Sequence, residues 1–178
     1  MRDICVKKPG RKAKDPLTVH VMGYLSALMS GKTPRVKYGD PGHPTVIVQI
    51  GKTIIPQVLV YLGAAINIIT LETSQLLQLK NTIRDTPTIL ELADRSKIKP
   101  EGVVEDLVIS VESKNYPADF VVLQTKTKLG GHPLILGRPW LATVDAFISC
   151  RSSSMTISNG YETKQLTLYP HATPMINN

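Results

Sequence analysis

The side chains that could perform nucleophilic, acid–base or metal chemistry are scattered along this sequence. No serine or cysteine nucleophile stands at a recognisable spacing from any of the four histidines, His20, His43, His132 and His171. The two cysteines, Cys5 and Cys150, are isolated and lack a partner at the spacing of a disulfide framework or a zinc site. We therefore predict free thiols, no metal site and no cofactor.

One short stretch places a reactive side chain beside a tight turn. The residues "QVLVYLGAAINIIT" form an apolar, strand-like run, turn at Leu62, Gly63 and Ala64, and become apolar again. Tyr61 stands at the mouth of this turn. What its phenol can do there depends on the elements that hold the turn.

The length and composition indicate one domain and an appendage. The chain has 178 residues, 42% of them hydrophobic, which is enough for one proper core. Its apolar runs fall well short of the about 20 residues that a membrane span needs, and the N-terminal residues "MRDICVKKPGRKAKD" contain no apolar signal-peptide core. We therefore expect an intracellular protein without a membrane partner; cytoplasm and nucleus are not distinguished.

The net charge of +7 is concentrated near the N-terminus. Residues 1–40 hold nine Lys or Arg against three Asp, a net +6, whereas residues 41–178 hold twelve against eleven acids, a net +1. The basic cluster within residues 1–14 has no interleaved aromatic side chain, so it could touch phosphates only nonspecifically. We favour a solvated, disordered arm and do not expect nucleic acid as a partner.

Residues 15–31 predict one amphipathic helix. Asp15 and Pro16 are typical of an N-cap and a first helical turn, apolar side chains then recur at helical spacing, and Gly31 ends the segment. The apolar surface is wide enough to require docking, on the protein's own domain or on a partner. Residues 32–44 are rich in Gly, Pro and charge, and we interpret them as a linker.

From Thr45 onward, short β-rich runs alternate with turn signals. "TVIVQIGKTIIPQVLV" predicts two strands around a turn at Gly51 and Lys52. "INIITLETSQLLQL" ends in a short helix, whose core-facing side chains are predicted to be Leu71, Leu76, Leu77 and Leu79. Further strands are predicted at residues 88–92, 102–111, 118–123, 134–136, 146–150, 155–157 and 165–168. Many short strands with only small helices predict a closed, mostly β domain.

Four blocks of this region resemble one family in their order and spacing. They are "LVYLGAAINII", "LELADRSKIKPEGVVEDLVISV", "YPADFVVL" and "PLILGRPWLATVDAFI". Together they resemble the retropepsin-like aspartic protease domains of plant Ty3/Gypsy-type retrotransposon polyproteins. The resemblance implies a mainly β acid-protease barrel with one or two short helices at residues 45–170, followed by a tail at 171–178. It also implies a homodimer that binds a peptide, each subunit lending one Asp from an Asp-Leu-Gly-Ala or Asp-Thr-Gly-Ala turn.

The resemblance puts Tyr61 at the position of the catalytic aspartate. Peptide hydrolysis by this class needs two carboxylates that share one proton, one activating a water and the other donating to the carbonyl oxygen. A phenol ionises only in alkaline solution and is therefore a poor general base at neutral or acidic pH. In a symmetric dimer, two rings would also converge where the catalytic water should lie. We therefore predict that no catalytic residue is intact.

The remainder of the turn favours retention of the fold without the chemistry. Ala65 lies where the plant elements usually have Ser, whereas Leu62 fits their pattern. Gly63 and Ala64 are retained, and such small residues permit a close backbone approach. No other acid lies on the turn by this resemblance. We interpret the acids nearest to the implied flap and C-terminal helix as turn, cap or surface residues, namely Asp94, Asp106, Asp119 and Asp145.

Two further blocks have roles implied by the resemblance. Within the second block, residues 92–105 resemble the flap hairpin that closes over a peptide, in which Ala93, Asp94 and Arg95 either contact the peptide or form an ordinary hairpin tip. "LILGRPWL" resembles the second conserved turn, where Gly137 precedes a short helix. Arg138 is expected to make ion pairs that support the active-site turn or the dimer, rather than to contact substrate.

The sequence leaves three hypotheses for function. The first is a catalytically inactive retropepsin-like domain of a retrotransposon-type polyprotein, whose residual activity is dimerisation or peptide binding. The second is an active aspartic endopeptidase in which Tyr61 is an isolated variant, since one base change converts an Asp codon to a Tyr codon. The third, ranked last, is nucleic-acid binding through residues 1–14. Pepstatin-sensitive peptide cleavage at acidic pH separates the first two.

Overall fold

The computed structural model describes residues 37–92, 94–125 and 131–168. Several predictions concern residues outside these ranges: the arm at 1–14, the helix at 15–31, residues 32–36 of the linker, the tail at 171–178 and the flap residue Ala93. Within the described part, the chain forms eleven strands and two short α-helices. The mainly β class expected from the sequence is confirmed.

The strands are β1 (Thr45–Ile50), β2 (Thr53–Val60), β3 (Asn67–Thr70), β4 (Leu90–Glu91), β5 (Lys97–Ile98), β6 (Gly102–Val111), β7 (Lys114–Leu123), β8 (Leu134–Leu136), β9 (Phe147–Ser149), β10 (Ser154–Ser158) and β11 (Thr163–Thr167). The helices are α1 (Leu71–Leu76) and α2 (Arg138–Thr143), and a 3₁₀ turn covers Lys80–Thr82. Six strands close a barrel in the order β1-β2-β8-β3-β7-β6. The others form a three-stranded sheet, β11-β10-β9, and a hairpin, β4-β5.

The first hairpin is built from β-branched side chains that are buried alternately along β1. In β1, Val46, Val48 and Ile50 are buried while the residues between them are exposed, which is the period of a strand with one face on a core. Gly51 has φ +56°, a left-handed conformation that glycine adopts without strain, and it closes the turn to β2 as predicted.

The short strand β8 joins the two halves of the barrel. It runs parallel to β2 and antiparallel to β3, so that Ile135 pairs with both Leu59 and Ile68. All three of its residues are buried. By pairing with both strands, β8 holds the end of β2 beside the start of β3. The turn between β2 and β3, residues 61–66, therefore lies next to the residues that follow β8.

The core fills the barrel and extends under α2. Trp140 of α2 is fully buried and meets the Tyr116 ring edge-on, with ring centroids 6.5 Å apart. Leu141 is buried beside it, so both of these helical residues belong to the core.

Two details of the sequence-based prediction were wrong. Leu76 does not face the core: its side chain is 69% exposed, because α1 buries Ser74 and positions two apart on a helix point about 200° apart. The strand predicted at residues 88–92 is shorter in the structure, where β4 covers only Leu90–Glu91. The chain before it pairs with β6 instead, through a bridge between Arg84 and Val103.

Neither helix reaches the dimensions of a bilayer. Each has six residues, and within the described ranges no helix combines the length and apolarity that a membrane span requires.

Candidate active-site turn

Backbone hydrogen bonds hold the turn at residues 61–66 against the junction of β8 and α2. The Tyr61 amide donates to the Leu136 carbonyl at 2.9 Å, and the Arg138 amide donates to the Ala64 carbonyl at 2.9 Å. Within the turn, the Ala64 amide donates to the Tyr61 carbonyl at 3.1 Å. Both ends of the turn are therefore fixed to one short segment of chain.

Asn67 connects the turn to β7 and to the residue that precedes α2. Its Oδ1 accepts from the Gly137 amide at 2.8 Å, and its Nδ2 donates to the Asp119 carbonyl at 3.0 Å. The side chain is buried, and both of its polar atoms have partners. We did not single out Asn67 from the sequence; the available signal was one amide side chain within the apolar run "INIIT".

Gly137 makes a close backbone approach to the turn. A Cβ at this position would collide with the Ile66 carbonyl oxygen and come within 2.9 Å of that of Ala64. Its φ of −91° is accessible to any residue, so space rather than conformation requires glycine here. The sequence predicted a close backbone approach at Gly63 and Ala64. In the structure, a close approach joins Gly137 to the carbonyls of Ala64 and Ile66.

Arg138 supports the turn through a hydrogen bond to the backbone. Its Nη1 donates to the Leu62 carbonyl at 3.1 Å, and the guanidinium is otherwise exposed. Within the described parts of this single chain, ion pairs join Arg84 to Glu105 and Lys114 to Glu162, and Arg138 forms none. The ion pairs that the resemblance implies, within the turn or across a dimer, stay a prediction.

The outer face of the turn is a phenol and a leucine. Tyr61 is 51% exposed and Leu62 is 63% exposed. The Tyr61 ring folds back over Gly63, so that a Cβ on this glycine would lie 2.5 Å from the Tyr61 Oη. Residues 61–66 contain no carboxylate. The turn can therefore stack or donate a hydrogen bond, but it has no carboxylate for general acid–base catalysis.

Asp94 and Arg95, the two predicted flap residues that the structure describes, lie between β4 and β5. Asp94 Oδ1 accepts from the Ser96 hydroxyl at 2.7 Å and from the Ser96 amide at 3.0 Å, and these bonds lower the pKa of Asp94 below its ordinary value. Arg95 has φ +65° and its amide donates to the Leu92 carbonyl. The Asp94 carboxylate thus stabilises its own hairpin tip, and both of the roles left open for this segment remain.

Of the other three acids considered from the sequence, Asp119 forms a local hydrogen bond. Asp119 Oδ1 accepts from the Asp106 amide at 2.8 Å, at a bulge in β6 where Asp106 has φ +53°. Asp145 follows α2 with φ +45°. All three are exposed, as turn and surface acids are. Among residues 37–92, 94–125 and 131–168, no three His, Cys, Asp or Glu side chains form a group that could hold a metal ion.

Comparison with known proteins agrees with this architecture. Residues 43–163 match the family model described as retroviral aspartyl protease. Among solved structures, the fold is similar to the retroviral protease-like domain of Ddi1 from Leishmania major, with a TM-score of 0.57 and 16% identity over 73% of this chain and 98% of that one. A search of the curated proteins found no match. Because the family model covers more than half of the chain, this protein belongs to the retroviral aspartyl protease family.

Proposed function

We propose that this chain carries a catalytically inactive retropepsin-like domain, derived from a plant Ty3/Gypsy-type retrotransposon polyprotein, that acts as a dimerising or peptide-binding module. One observation carries the proposal. Tyr61 directly follows β2 and is the first residue of the candidate active-site turn, and no carboxylate stands within residues 61–66.

The chemistry of the family gives this observation its weight. An aspartic dyad works because two nearby carboxylates share one proton, so that one is a base and the other an acid. A pair of phenols does not supply a base at acidic or neutral pH. Replacement of the acid by Tyr61 therefore removes the step in which water is activated.

The retained architecture supports a binding role in place of catalysis. The turn is held by backbone hydrogen bonds and by Asn67, and none of these bonds involves the side chain of Tyr61. Tyr61 and Leu62 are exposed in the single chain, where a second copy would cover them in a dimer built as in the family. The β4-β5 hairpin supplies a flap-like element for an extended peptide.

The test is a gain of function. We would incubate an unfolded protein substrate at pH 4 to 7 with the chain as given and with Tyr61→Asp, each with and without pepstatin. We expect cleavage by Tyr61→Asp alone, sensitive to pepstatin. The matched control is Tyr161→Asp, which makes the same substitution at a tyrosine that is 96% exposed outside the turn, and which should remain inactive.

The other outcomes are equally informative. Pepstatin-sensitive cleavage by the chain as given would overturn the proposal and favour an active endopeptidase in which another carboxylate completes the site. Absence of cleavage by both proteins would mean that the defect extends beyond Tyr61. Sedimentation tests the dimer separately, and a strict monomer at tens of micromolar would remove it.

A further inference from the structure

Two histidines that are 89 residues apart in sequence meet beside the first hairpin. His43 precedes β1, and His132 lies just before β8. His43 Nδ1 is 3.4 Å from His132 Nε2, and the two ring planes are tilted by 54°. The His132 ring is buried, whereas His43 is exposed to solvent.

A backbone carbonyl fixes the tautomer of His132. Its Nδ1 lies 2.8 Å from the Gln57 carbonyl oxygen, and because a carbonyl only accepts, Nδ1 must carry the proton. The neutral ring then presents a bare lone pair at Nε2, directed toward His43. This arrangement is the one in which metal-binding histidines are commonly held, with the second ring nitrogen donating to a carbonyl.

The carbonyl is directed toward His132 by an irregularity in β2. The register of β1 and β2 shifts between Val46 and Val48, so that Pro56 and Gln57 together oppose one residue of β1. Gln57 has φ +56°, a conformation that is costly for a residue with a side chain. This bulge turns the Gln57 carbonyl toward the buried His132 rather than along the sheet.

The spacing of the two nitrogens allows a hydrogen bond in the free protein and a shared ion in the metal-bound protein. The separation of 3.4 Å is at the long end of the range for a hydrogen bond. Two nitrogens bound at about 2.0–2.1 Å to one tetrahedral metal ion also lie about 3.4 Å apart. The separation is therefore compatible with a two-point metal chelate.

We propose that His43 and His132 form a binding site for a divalent transition-metal ion such as Zn²⁺. His132 Nε2 and His43 Nδ1 supply two ligands, and solvent water completes the coordination. Imidazole pairs favour Cu²⁺, Ni²⁺ and Zn²⁺ over Mg²⁺, which prefers oxygen ligands. The bound ion would tie the segment before β1 to the loop before β8, the strand that holds the candidate active-site turn.

Sequence reasoning predicted no metal site because the histidines are scattered along the chain. Only the barrel closure brings His43 to His132, and the pair falls short of the four protein ligands of a closed structural zinc site. The proposal is therefore of an open site with two protein ligands. It is independent of the function proposed for Tyr61, which lies in a separate turn.

The experiment is a Zn²⁺ titration of the untagged full chain by calorimetry, repeated with Cu²⁺ and with Mg²⁺. We expect one Zn²⁺ per chain, tighter binding of Cu²⁺ and none of Mg²⁺. His43→Ala is the principal variant, because its exposed ring can be removed without opening the core, and it should weaken Zn²⁺ binding at least about tenfold. His20→Ala, which leaves the pair intact, is the matched control.

A second readout reports on His132 without altering its buried ring. Nitrogen chemical shifts of the imidazoles report which nitrogen carries the proton, and we expect Zn²⁺ to shift His132 Nε2 and His43 Nδ1 while His132 Nδ1 stays protonated. Acidification should release the ion, since ligation requires neutral imidazoles. The proposal is overturned if Zn²⁺ does not bind by about 1 mM, or if His43→Ala binds as tightly as the unaltered chain.

Discussion

The inner and outer faces of the candidate active-site turn differ sharply. On the inner face, Asn67 and Gly137 are buried and every polar atom of the Asn67 side chain has a partner. On the outer face, Tyr61 and Leu62 are exposed, and no hydrogen bond to the phenol is found within the described residues. The first face shapes the turn, and the second is open to solvent in the single chain.

This difference shows that the fold and the chemistry of the turn depend on different atoms. The inner face needs backbone carbonyls, a small residue at 137 and one buried amide at 67. None of these requires a carboxylate at 61. A chain can therefore lose the acid while keeping the turn, which is the condition that the proposed inactive domain requires.

The largest expected effect comes from filling the close approach on the inner face. Gly137→Ala places a methyl group against the Ile66 and Ala64 carbonyls, which are backbone atoms and cannot move aside alone. We expect a loss of about 3 kcal/mol or more in the free energy of unfolding, measured by urea denaturation.

Gly63→Ala is the matched variant on the outer face. The three atoms nearest to its methyl group all belong to the Tyr61 ring, which is exposed and can rotate outward. We therefore expect a loss of about 0.5 kcal/mol or less in the free energy of unfolding. Equal losses in the two variants would contradict the division of the turn into two faces.

Removal of the buried amide should have the next largest effect. Asn67→Ala leaves the Gly137 amide and the Asp119 carbonyl without their partner, and we expect a loss of about 1–3 kcal/mol in the free energy of unfolding. Asn115→Ala is the control, because Asn115 makes one exposed hydrogen bond, to Ser110. If the two variants lose the same stability, the amide of Asn67 does not support the turn.

The same division explains how much the sequence could predict. The barrel strands follow alternation and turn residues, which are local signals, and strands such as β1, β6 and β8 fall at the predicted positions. The turn was found because Tyr61, Gly63 and Ala64 stand together in a recognisable block. Features that depend on one short segment of the sequence could therefore be predicted.

Features that depend on distant segments were missed. Asn67 acquires its partners only when β7 and the start of α2 come beside β3. The pairing of His43 with His132 likewise needs the closed barrel. Exposure of Leu76 depends on which side of α1 meets the core, and a helix of six residues is too short to show that by periodicity.

Arg138 lies at the border between the two faces, and its removal should have a smaller effect. Arg138→Ala loses the hydrogen bond to the Leu62 carbonyl. Because the guanidinium is exposed, we expect a loss of about 0.5–1 kcal/mol in the free energy of unfolding, measured by urea denaturation. Arg84→Ala, which breaks the exposed ion pair with Glu105, is the matched control and should cost a similar amount. A loss as large as that of Asn67→Ala would assign Arg138 to the inner face.

The smallest effect is expected at an ion pair far from both faces of the turn. The hydrogen bond from Lys114, followed by the charge of that lysine, lowers the pKa of Glu162 below its ordinary value of 4.5. A carboxylate with a lowered pKa in the folded state stabilises the fold above the unfolded pKa, and this contribution is lost as the pH falls below 4.5 toward the folded pKa. A double-mutant cycle of Glu162→Gln and Lys114→Gln should therefore show a small coupling at pH 7 that decreases as the pH is lowered below 4.5 and that weakens in high salt. A coupling that stays constant on acidification would show that the two side chains interact by packing rather than by charge.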